Sequence, residues 1–219
     1  MRHFAFYRRI TQSERLAGAY DAAAANWQKG IAGLGYPAAY AALAEQAVAR
    51  EPSRHGETLL DVGTGSGAMG LAMMQALRQH AEIDLMDMSE EMLRAAKAAL
   101  PQVRNCFTGL IGRARLPSSA YDRVSCAHAI EHGSDPQSQI AWLKRLIRPG
   151  GQLVLAVSRP HWCTALVRLR WGHAAYQPNT VCHFLEEQGF EDIHVHPHAK
   201  GPPSRTSCGY LARRPVHGT

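Results

Sequence analysis

The chain has few of the features that mark secreted, membrane-spanning or disulfide-stabilised proteins. Its five cysteines contain no C-x-x-C pair, and we interpret them as reduced thiols rather than a disulfide framework. No apolar run approaches the roughly 20 residues that a membrane span needs. The opening residues, MRHFAFYRRI, lack the long apolar centre of a signal peptide. We therefore expect a cytoplasmic protein without membrane association.

Acidic residues are scarcer than basic ones, 18 against 24, which gives a formal net charge of +6. Such a charge is compatible with a nucleic-acid partner. The basic residues are spread, however, with small groups at 8–9, 113–115, 168–170 and 213–214, and no RNA-binding module is recognisable. A nucleic-acid partner is therefore not expected, although a tRNA or rRNA substrate remains the alternative.

A metal site is also not expected, although the chain has twelve histidines. His194, His196 and His198 alternate along EDIHVHPHA, so they would share one face of a strand. Pro197 interrupts that strand, and no cysteine or carboxylate stands nearby at the spacing of a zinc site.

The most informative stretch is LLDVGTGSG, residues 59–67. An apolar run ends at Asp61, Gly63, Gly65 and Gly67 follow at alternate positions, and the helix-forming AMGLAMMQALRQH comes next. This order predicts a buried strand, a tight turn and a helix N-terminus that together hold a nucleotide-like ligand. The glycines allow the backbone to turn sharply and to approach that ligand closely.

Two ligands fit the glycine turn. Gly65, Gly67 and Gly70 satisfy the G-x-G-x-x-G pattern of dinucleotide-binding proteins, which is a weak signal alone. Asp61 favours S-adenosylmethionine (SAM), because a carboxylate repels a pyrophosphate, whereas SAM has no phosphate and carries an ammonium and a sulfonium group. We therefore interpret Asp61 and the glycines of the turn as SAM-binding residues.

A second apolar strand, EIDLMDM, supplies further cofactor contacts. It ends in Asp87, whose carboxylate can accept hydrogen bonds from both ribose hydroxyls. Ser89 is predicted to cap the next helix, with Glu90 and Glu91 in the first turn, which leaves Asp87 and Met88 available for the cofactor.

Five motifs occur in a recognisable order: LLDVGTGSG, LMDMSEEML, LPSSAYDRVSCAHAIEH, LKRLIRPGGQLVLAV and QGFEDIHV. Together they resemble the class I SAM-dependent methyltransferases, especially the methyltransferase type 11 group that contains quinone-biosynthesis and other small-molecule enzymes. The resemblance covers roughly residues 55–215. It implies an α/β, Rossmann-like sheet of seven strands, six parallel and the last antiparallel, with helices on both faces. It also implies SAM at the carboxyl ends of the first strands, and S-adenosylhomocysteine (SAH) as its product.

The 219 residues are expected to form one domain, with residues 1–54 as a helical cap on a core of residues 55–219. The cap is predicted as two helices separated by the glycine-rich IAGLG. The resemblance implies that this segment covers SAM and forms part of the substrate pocket. Tyr20 and Trp27 lie two helical turns apart on one face, so they are candidate substrate-binding residues. Packing against the sheet is the alternative for both.

The adenine end departs from the family pattern. The resemblance implies an acid four residues before the Leu-Pro of NCFTGLIGRARLP, but this chain has Gly112 there, followed by Arg113. Both remain candidate cofactor contacts, Gly112 through its backbone and Arg113 by stacking on the adenine. Cys126, near the end of the fourth strand, is interpreted as a small residue touching the cofactor. Further on, the Pro-Gly-Gly of residues 149–151 is predicted to form a turn into the fifth strand.

Candidate catalytic and acceptor-binding residues follow the fourth and fifth strands. His128 is a candidate general base and substrate contact, with a purely structural hydrogen bond as the alternative. The resemblance implies that an insertion at about 159–180 builds the acceptor pocket. His161 is a second catalytic candidate there, and His161 and Trp162 are substrate-binding candidates.

Histidine and aromatic side chains suit a planar aromatic or heteroaromatic acceptor. We therefore expect SAM-dependent methyl transfer to N or O of a small molecule, by a monomer or a homodimer. The alternatives are an RNA methyltransferase and a SAM-binding protein without catalytic activity.

Overall fold

The computed structural model describes residues 18, 21, 29–78, 80–100, 102–162 and 174–216. Seven strands form one sheet: β1 Glu57–Val62, β2 Ala81–Asp87, β3 Val103–Thr108, β4 Tyr121–Ala127, β5 Ile147–Ser158, β6 Glu191–Pro197 and β7 Ser207–Arg213. Their order across the sheet is β3-β2-β1-β4-β5-β7-β6. β1 to β5 pair in parallel, and β7 runs antiparallel to both of its neighbours, β5 and β6. The predicted Rossmann-like sheet, six strands one way and the last reversed, is confirmed.

Helices cover both faces of the sheet, as expected. They are α1 Tyr36–Arg50, α2 Ala68–Ala76, α3 Glu90–Ala99, α4 Pro136–Leu146, α5 Pro178–Glu187 and the short α6 Pro203–Thr206, with a 3₁₀ helix at Ile130–His132. One hydrophobic cluster joins the sheet to α4 and α5, and a second joins it to α1, α2 and α3. Ser89 caps α3 as predicted, because its hydroxyl accepts a hydrogen bond from the Met92 N–H.

The helix α1 is a firmly packed part of the core. Its Leu43, Ala44 and Ala47 are fully buried and belong to the same cluster as Met73 and Leu211. The break between helices that was predicted at IAGLG is present, but it covers only the last two residues of that stretch. Residues 29–33 are helical, and the chain turns only at residues 34–35, where Gly35 takes a left-handed φ of 85°.

The prediction of a turn at residues 149–151 is wrong, because these residues lie inside β5 as a bulge. Tyr121 pairs with Ile147 and Arg123 with Gln152, so β5 uses six residues where β4 uses three. Gly150 has a φ of 78°, and its N–H donates to the carbonyl of Arg214. The glycines therefore let the strand bulge and stay paired, rather than reverse.

The edge of the sheet formed by the amino ends of β1 and β4 carries a buried ion pair. Arg123 and Glu57 are 3% and 6% exposed, and Arg123 Nε lies 2.9 Å from Glu57 Oε2. Arg123 also donates to Gln152 Oε1 and to the carbonyl of Glu51. These contacts offset the cost of removing the two charges from water, but the loss of either partner would leave the other charge buried and unpaired.

None of the helices in the described residues is long and apolar enough to cross a membrane.

Candidate cofactor and acceptor site

A cavity of about 850 Å³ opens at the carboxyl ends of the parallel strands, within the usual range of about 300–1,000 Å³ for small-molecule sites. Its walls come from the region before and within α1, the turn after β1, and the chain after β2, β3, β4 and β5. The lining residues include Tyr36, Tyr40, Gly63, Thr64, Gly65, Ser66, Asp87, Met88, Gly112, Arg113, His128, Gln139 and Ser158. The open α/β sheet places ligands at this edge.

The glycine turn forms one wall of this cavity. Gly63 has a φ of 64°, and a Cβ built on it would stand 2.4 Å from the Cβ of Ala129. Gly65 also has a positive φ, of 52°, and its N–H donates to Asp87 Oδ2 at 2.8 Å. Gly67, with a φ of 87°, begins α2 and does not line the cavity. The turn therefore needs its glycines both for conformation and for close packing.

Asp61 lies behind the turn rather than on the cavity wall. Its Oδ2 accepts from the Thr64 hydroxyl at 2.6 Å and the Gly70 N–H at 3.1 Å, and its Oδ1 accepts from the Ser125 hydroxyl at 2.6 Å. Burial raises the pKa of Asp61 to about 6, although these hydrogen bonds oppose the rise. In this arrangement Asp61 fixes the shape of the turn, and its direct contact with a cofactor stays a prediction.

Asp87 lies on the cavity wall, and its contact with the ribose stays a prediction. It is 8% exposed and lines the cavity, with Oδ2 accepting from Gly65 N–H and Oδ1 from Ser89 N–H at 2.9 Å. Burial raises its pKa, and the backbone hydrogen bonds partly offset that rise. A carboxylate has about four acceptor positions, so both oxygens can still accept from a ligand.

Of the other predicted cofactor contacts, Met88, Gly112 and Arg113 line the cavity, whereas Cys126 does not. Cys126 is fully buried one position before the cavity-lining Ala127. Burial raises the pKa of its thiol well above the ordinary value, which suits a packing residue and not a nucleophile.

His128 stands at the end of β4 with a left-handed φ of 53°, a strained conformation for a residue with a side chain. Its ring lines the cavity and packs edge-on against the ring of Tyr36, with centroids 5.2 Å apart. Its Nδ1 lies 3.0 Å from Ser158 Oγ and 3.3 Å from Glu131 Oε1. Its Nε2 lies 3.2 Å from Ser207 Oγ. Both ring nitrogens therefore have protein partners.

Several residues that the sequence interpretation did not assign belong to this site. Tyr36 and Tyr40 form part of the wall, and Ser158 ends β5 at the cavity. Ser66 and Gln139 also line the cavity. The Oγ of Ser66 and the Oε1 of Gln139 are buried and have no hydrogen-bond partner among the described residues. Ser66 had a local signal in its place within the glycine motif, and Tyr36 and Tyr40 had one in the concentration of aromatic residues in the helical cap.

The structure does not place the other four predicted residues, Tyr20, Trp27, His161 and Trp162, at the cavity. Tyr20 and Trp27 lie outside the described residues. The rings of His161 and Trp162 lie 5.6 Å apart, and Trp162 is 77% exposed. Neither is among the described cavity-lining residues, and residues 163–173 beyond them are outside the described chain. Their roles stay predictions. In the described ranges no three His, Cys, Asp or Glu side chains are placed to hold a metal ion.

Comparison with known proteins agrees with this geometry. Residues 60–155 match the model of a methyltransferase domain, Methyltransf_11. This stretch is a class I SAM-dependent methyltransferase domain. The domain is similar to the ubiquinone biosynthesis O-methyltransferase of Klebsiella pneumoniae, at 34% identity over 119 residues, 51% of this chain and 48% of that protein. The chain thus spans about half the length of the curated relatives it matches.

Solved structures share the fold of the methyltransferase domain. One belongs to a complex between the Haloferax volcanii Trm112 methyltransferase activator and a putative methyltransferase, with a TM-score of 0.72, 19% identity, and coverage of 93% of this chain and 99% of that one. Another is Haemonchus contortus phosphoethanolamine N-methyltransferase 2 with bound SAM, with a TM-score of 0.64, 14% identity, and coverage of 78% and 52%. At these identities the likeness concerns the fold.

Proposed function

We propose that this protein transfers the methyl group of SAM to an oxygen of a small aromatic acceptor. The observation that carries the proposal is the pairing of Asp87 with Gly65 at the cavity wall, which joins the end of β2 to the glycine turn. The ubiquinone biosynthesis O-methyltransferases that match half of the chain favour oxygen over nitrogen as the atom attacked.

The residues of the glycine turn fit SAM. Asp87 offers its remaining acceptor positions to the ribose hydroxyls. The Ser66 hydroxyl, 3% exposed and without a partner among the described residues, is a buried polar group that a bound ligand would satisfy. No Cβ narrows the cavity at Gly63 or Gly65. Carboxylates and hydroxyls at this wall suit a cationic cofactor better than a pyrophosphate.

The acceptor would occupy the opposite part of the cavity, beside Tyr36, Tyr40, His128 and Ser158. Aromatic walls suit a planar ring. When bound, SAM supplies a methyl group on a sulfonium that is already a good leaving group. The protein then contributes mainly by holding the acceptor in line and by excluding water.

Calorimetric titration with SAH tests the cofactor assignment. Asp87→Asn should weaken SAH binding by about 10- to 150-fold, because a hydrogen bond to a charged group contributes about 1.5–3 kcal/mol. The matched control is Asp135→Asn, which changes an exposed carboxylate of the same cavity wall and keeps an amide oxygen to cap α4. Its SAH affinity should equal that of the wild type. Equal affinity in both variants would remove Asp87 from the site.

Methyl transfer is tested with radiolabelled SAM and catechol as the acceptor probe. Incorporation of label into catechol would support O-methylation of small aromatic molecules. If SAH binds and transfer RNA takes up the label instead, the RNA alternative replaces the proposal. If SAH binds and neither acceptor is methylated, the alternative of a SAM-binding protein without catalytic activity gains support.

A further inference from the structure

The ring of His128 belongs to a chain of buried polar groups that the methyl-transfer proposal leaves unexplained. Glu131 contacts Nδ1, and Ser207 contacts Nε2. Ser207 Oγ lies a further 3.2 Å from Nε2 of His198, which is 4% exposed. These residues come from the 3₁₀ helix, the start of β7 and the end of β6, so three separate segments hold one imidazole.

Glu131 determines which nitrogen of His128 carries the proton. Burial alone would raise the pKa of Glu131. The hydrogen bond and charge of His128 and the hydrogen bond from the Ser158 N–H outweigh that effect, so the pKa of Glu131 lies below its ordinary value. Glu131 Oε1 accepts from the Ser158 N–H at 2.6 Å and lies 3.3 Å from Nδ1. An ionised carboxylate can only accept hydrogen bonds. Nδ1 must therefore carry a proton.

The other end of the chain is consistent with the same tautomer. With Nδ1 protonated in the neutral ring, Nε2 accepts from the Ser207 hydroxyl, and Ser207 Oγ accepts from the Nε2–H of His198. Burial lowers the pKa of His198 to about 4, so this ring is neutral at pH 7. Its Nδ1, buried and without a partner among the described residues, is then a bare acceptor. Every donor in the chain is paired, and buried unpaired donors are the rarer defect.

This tautomer frees the hydroxyl proton of Ser158. Ser158 Oγ lies 3.0 Å from His128 Nδ1, nearer than Glu131 Oε1 at 3.3 Å, so the two oxygens share the Nδ1–H as acceptors of a three-centre hydrogen bond. Its own O–H is then available as a donor, and Ser158 lines the cavity. The proton of Tyr36 is already committed, because Thr206 Oγ1 donates to the carbonyl of Pro202 and so accepts from Tyr36, 3.0 Å away.

We infer that Ser158 contacts the acceptor and donates a hydrogen bond to an oxygen of it, and that Glu131, His128, Ser207 and His198 are positioning residues that fix the Ser158 hydroxyl in this role. The inference rests on the proposed function and deepens it: the acceptor presents an oxygen lone pair beside the end of β5. It also gives His128 a role other than general base, since neither of its nitrogens faces the acceptor with a free lone pair. The ionisable side chains around the ring are Tyr36 and Tyr40 from α1, Glu131, and His198.

Nitrogen-15 NMR of the imidazoles tests the chain without any cofactor. The wild-type spectrum should show a proton on Nδ1 of His128 and, at pH 7, a proton on Nε2 alone of His198. Ser207→Ala should leave the proton of His128 on Nδ1, which Glu131 and Ser158 still contact, but should turn His198 into a mixture of tautomers. Ser204→Ala, which removes a hydroxyl that donates to the Gly201 carbonyl, should change neither ring. A wild-type His128 with a bare Nδ1 would overturn the inference.

Binding of catechol in the presence of saturating SAH tests the contact itself. Ser158→Ala should weaken catechol binding by about 2- to 12-fold, the value of one neutral hydrogen bond, and Ser158→Thr, which keeps the hydroxyl, should restore it. SAH affinity should be unchanged in both variants. Catechol affinity that is equal in wild type and Ser158→Ala, or too weak to measure in the wild type, would overturn the inference. Failure of SAH to bind would instead defeat the proposed function.

His128→Asn and His128→Gln separate positioning from proton transfer. Asparagine keeps an N–H donor near the Nδ1 position, and glutamine keeps one near Nε2, but neither can act as a base. His128→Asn should therefore retain catechol affinity within about 2-fold, while His128→Gln should lose as much as Ser158→Ala. Equal losses in the two variants would contradict the positioning role.

Discussion

Gly63→Ala is the substitution that most directly tests how the glycine turn is built. The new Cβ would stand 2.4 Å from the Cβ of Ala129, and the residue would keep a φ of 64°. The left-handed conformation costs about 1–2 kcal/mol for alanine. The overlap with Ala129 adds about 1–3 kcal/mol, the usual cost of an extra methyl in a packed site. The free energy of unfolding should therefore fall by about 2–5 kcal/mol.

Gly112→Ala isolates the conformational part of this cost. Gly112 has a φ of 82°, but a Cβ built on it meets no atom within 4 Å. Its destabilisation should be about 1–2 kcal/mol. At about 2–4 °C per kcal/mol for a domain of this size, thermal unfolding should show a Tm lowered by roughly 4–20 °C for Gly63→Ala and 2–8 °C for Gly112→Ala. A Gly63→Ala protein as stable as Gly112→Ala would refute the packing argument.

Three further substitutions test the buried charges. Because the pKa of Asp61 is about 6 in the folded protein and its ordinary value is 3.8, the folded state holds a proton that the unfolded state releases between these values. This group should therefore lower the free energy of unfolding by about 2 kcal/mol as the pH rises from 4 to 6, and urea titrations of Asp61→Asn should lack that fall. Arg123→Met should cost about 3–5 kcal/mol by leaving Glu57 buried and unpaired. Adding Glu57→Leu should recover most of that loss, and a double variant no more stable than the single one would contradict the ion-pair account.

Local sequence patterns were sufficient for the sheet and for the glycine turn that forms one wall of the cavity. The apolar runs that end in Asp61 and Asp87 are buried strands, and the glycines between them form the turn. Ser89 had a helix-capping pattern that needs only three following residues. In each case the residues that interact are close in sequence, or are joined by the regular geometry of parallel strands.

The acceptor end could not be predicted in the same way, because its contacts are distant in sequence. Ser158, Ser207 and His198 reach His128 only after β4, β5, β6 and β7 have been ordered in the sheet. Nothing in the pattern around Ser158 distinguishes it from any serine at the end of a strand. The Pro-Gly-Gly of β5 was misinterpreted for a related reason, since a turn and a bulge use the same residue types.

Parallel calorimetric titrations with SAM, SAH and NADH test the central claim most directly. The SAM site predicts micromolar binding of the two sulfur ligands and no binding of NADH, because the carboxylate of Asp87 on the cavity wall would repel a pyrophosphate at the turn. Binding of NADH without SAM or SAH would contradict the cofactor assignment, and the roles proposed for Asp87, Ser66 and Ser158 would fall with it.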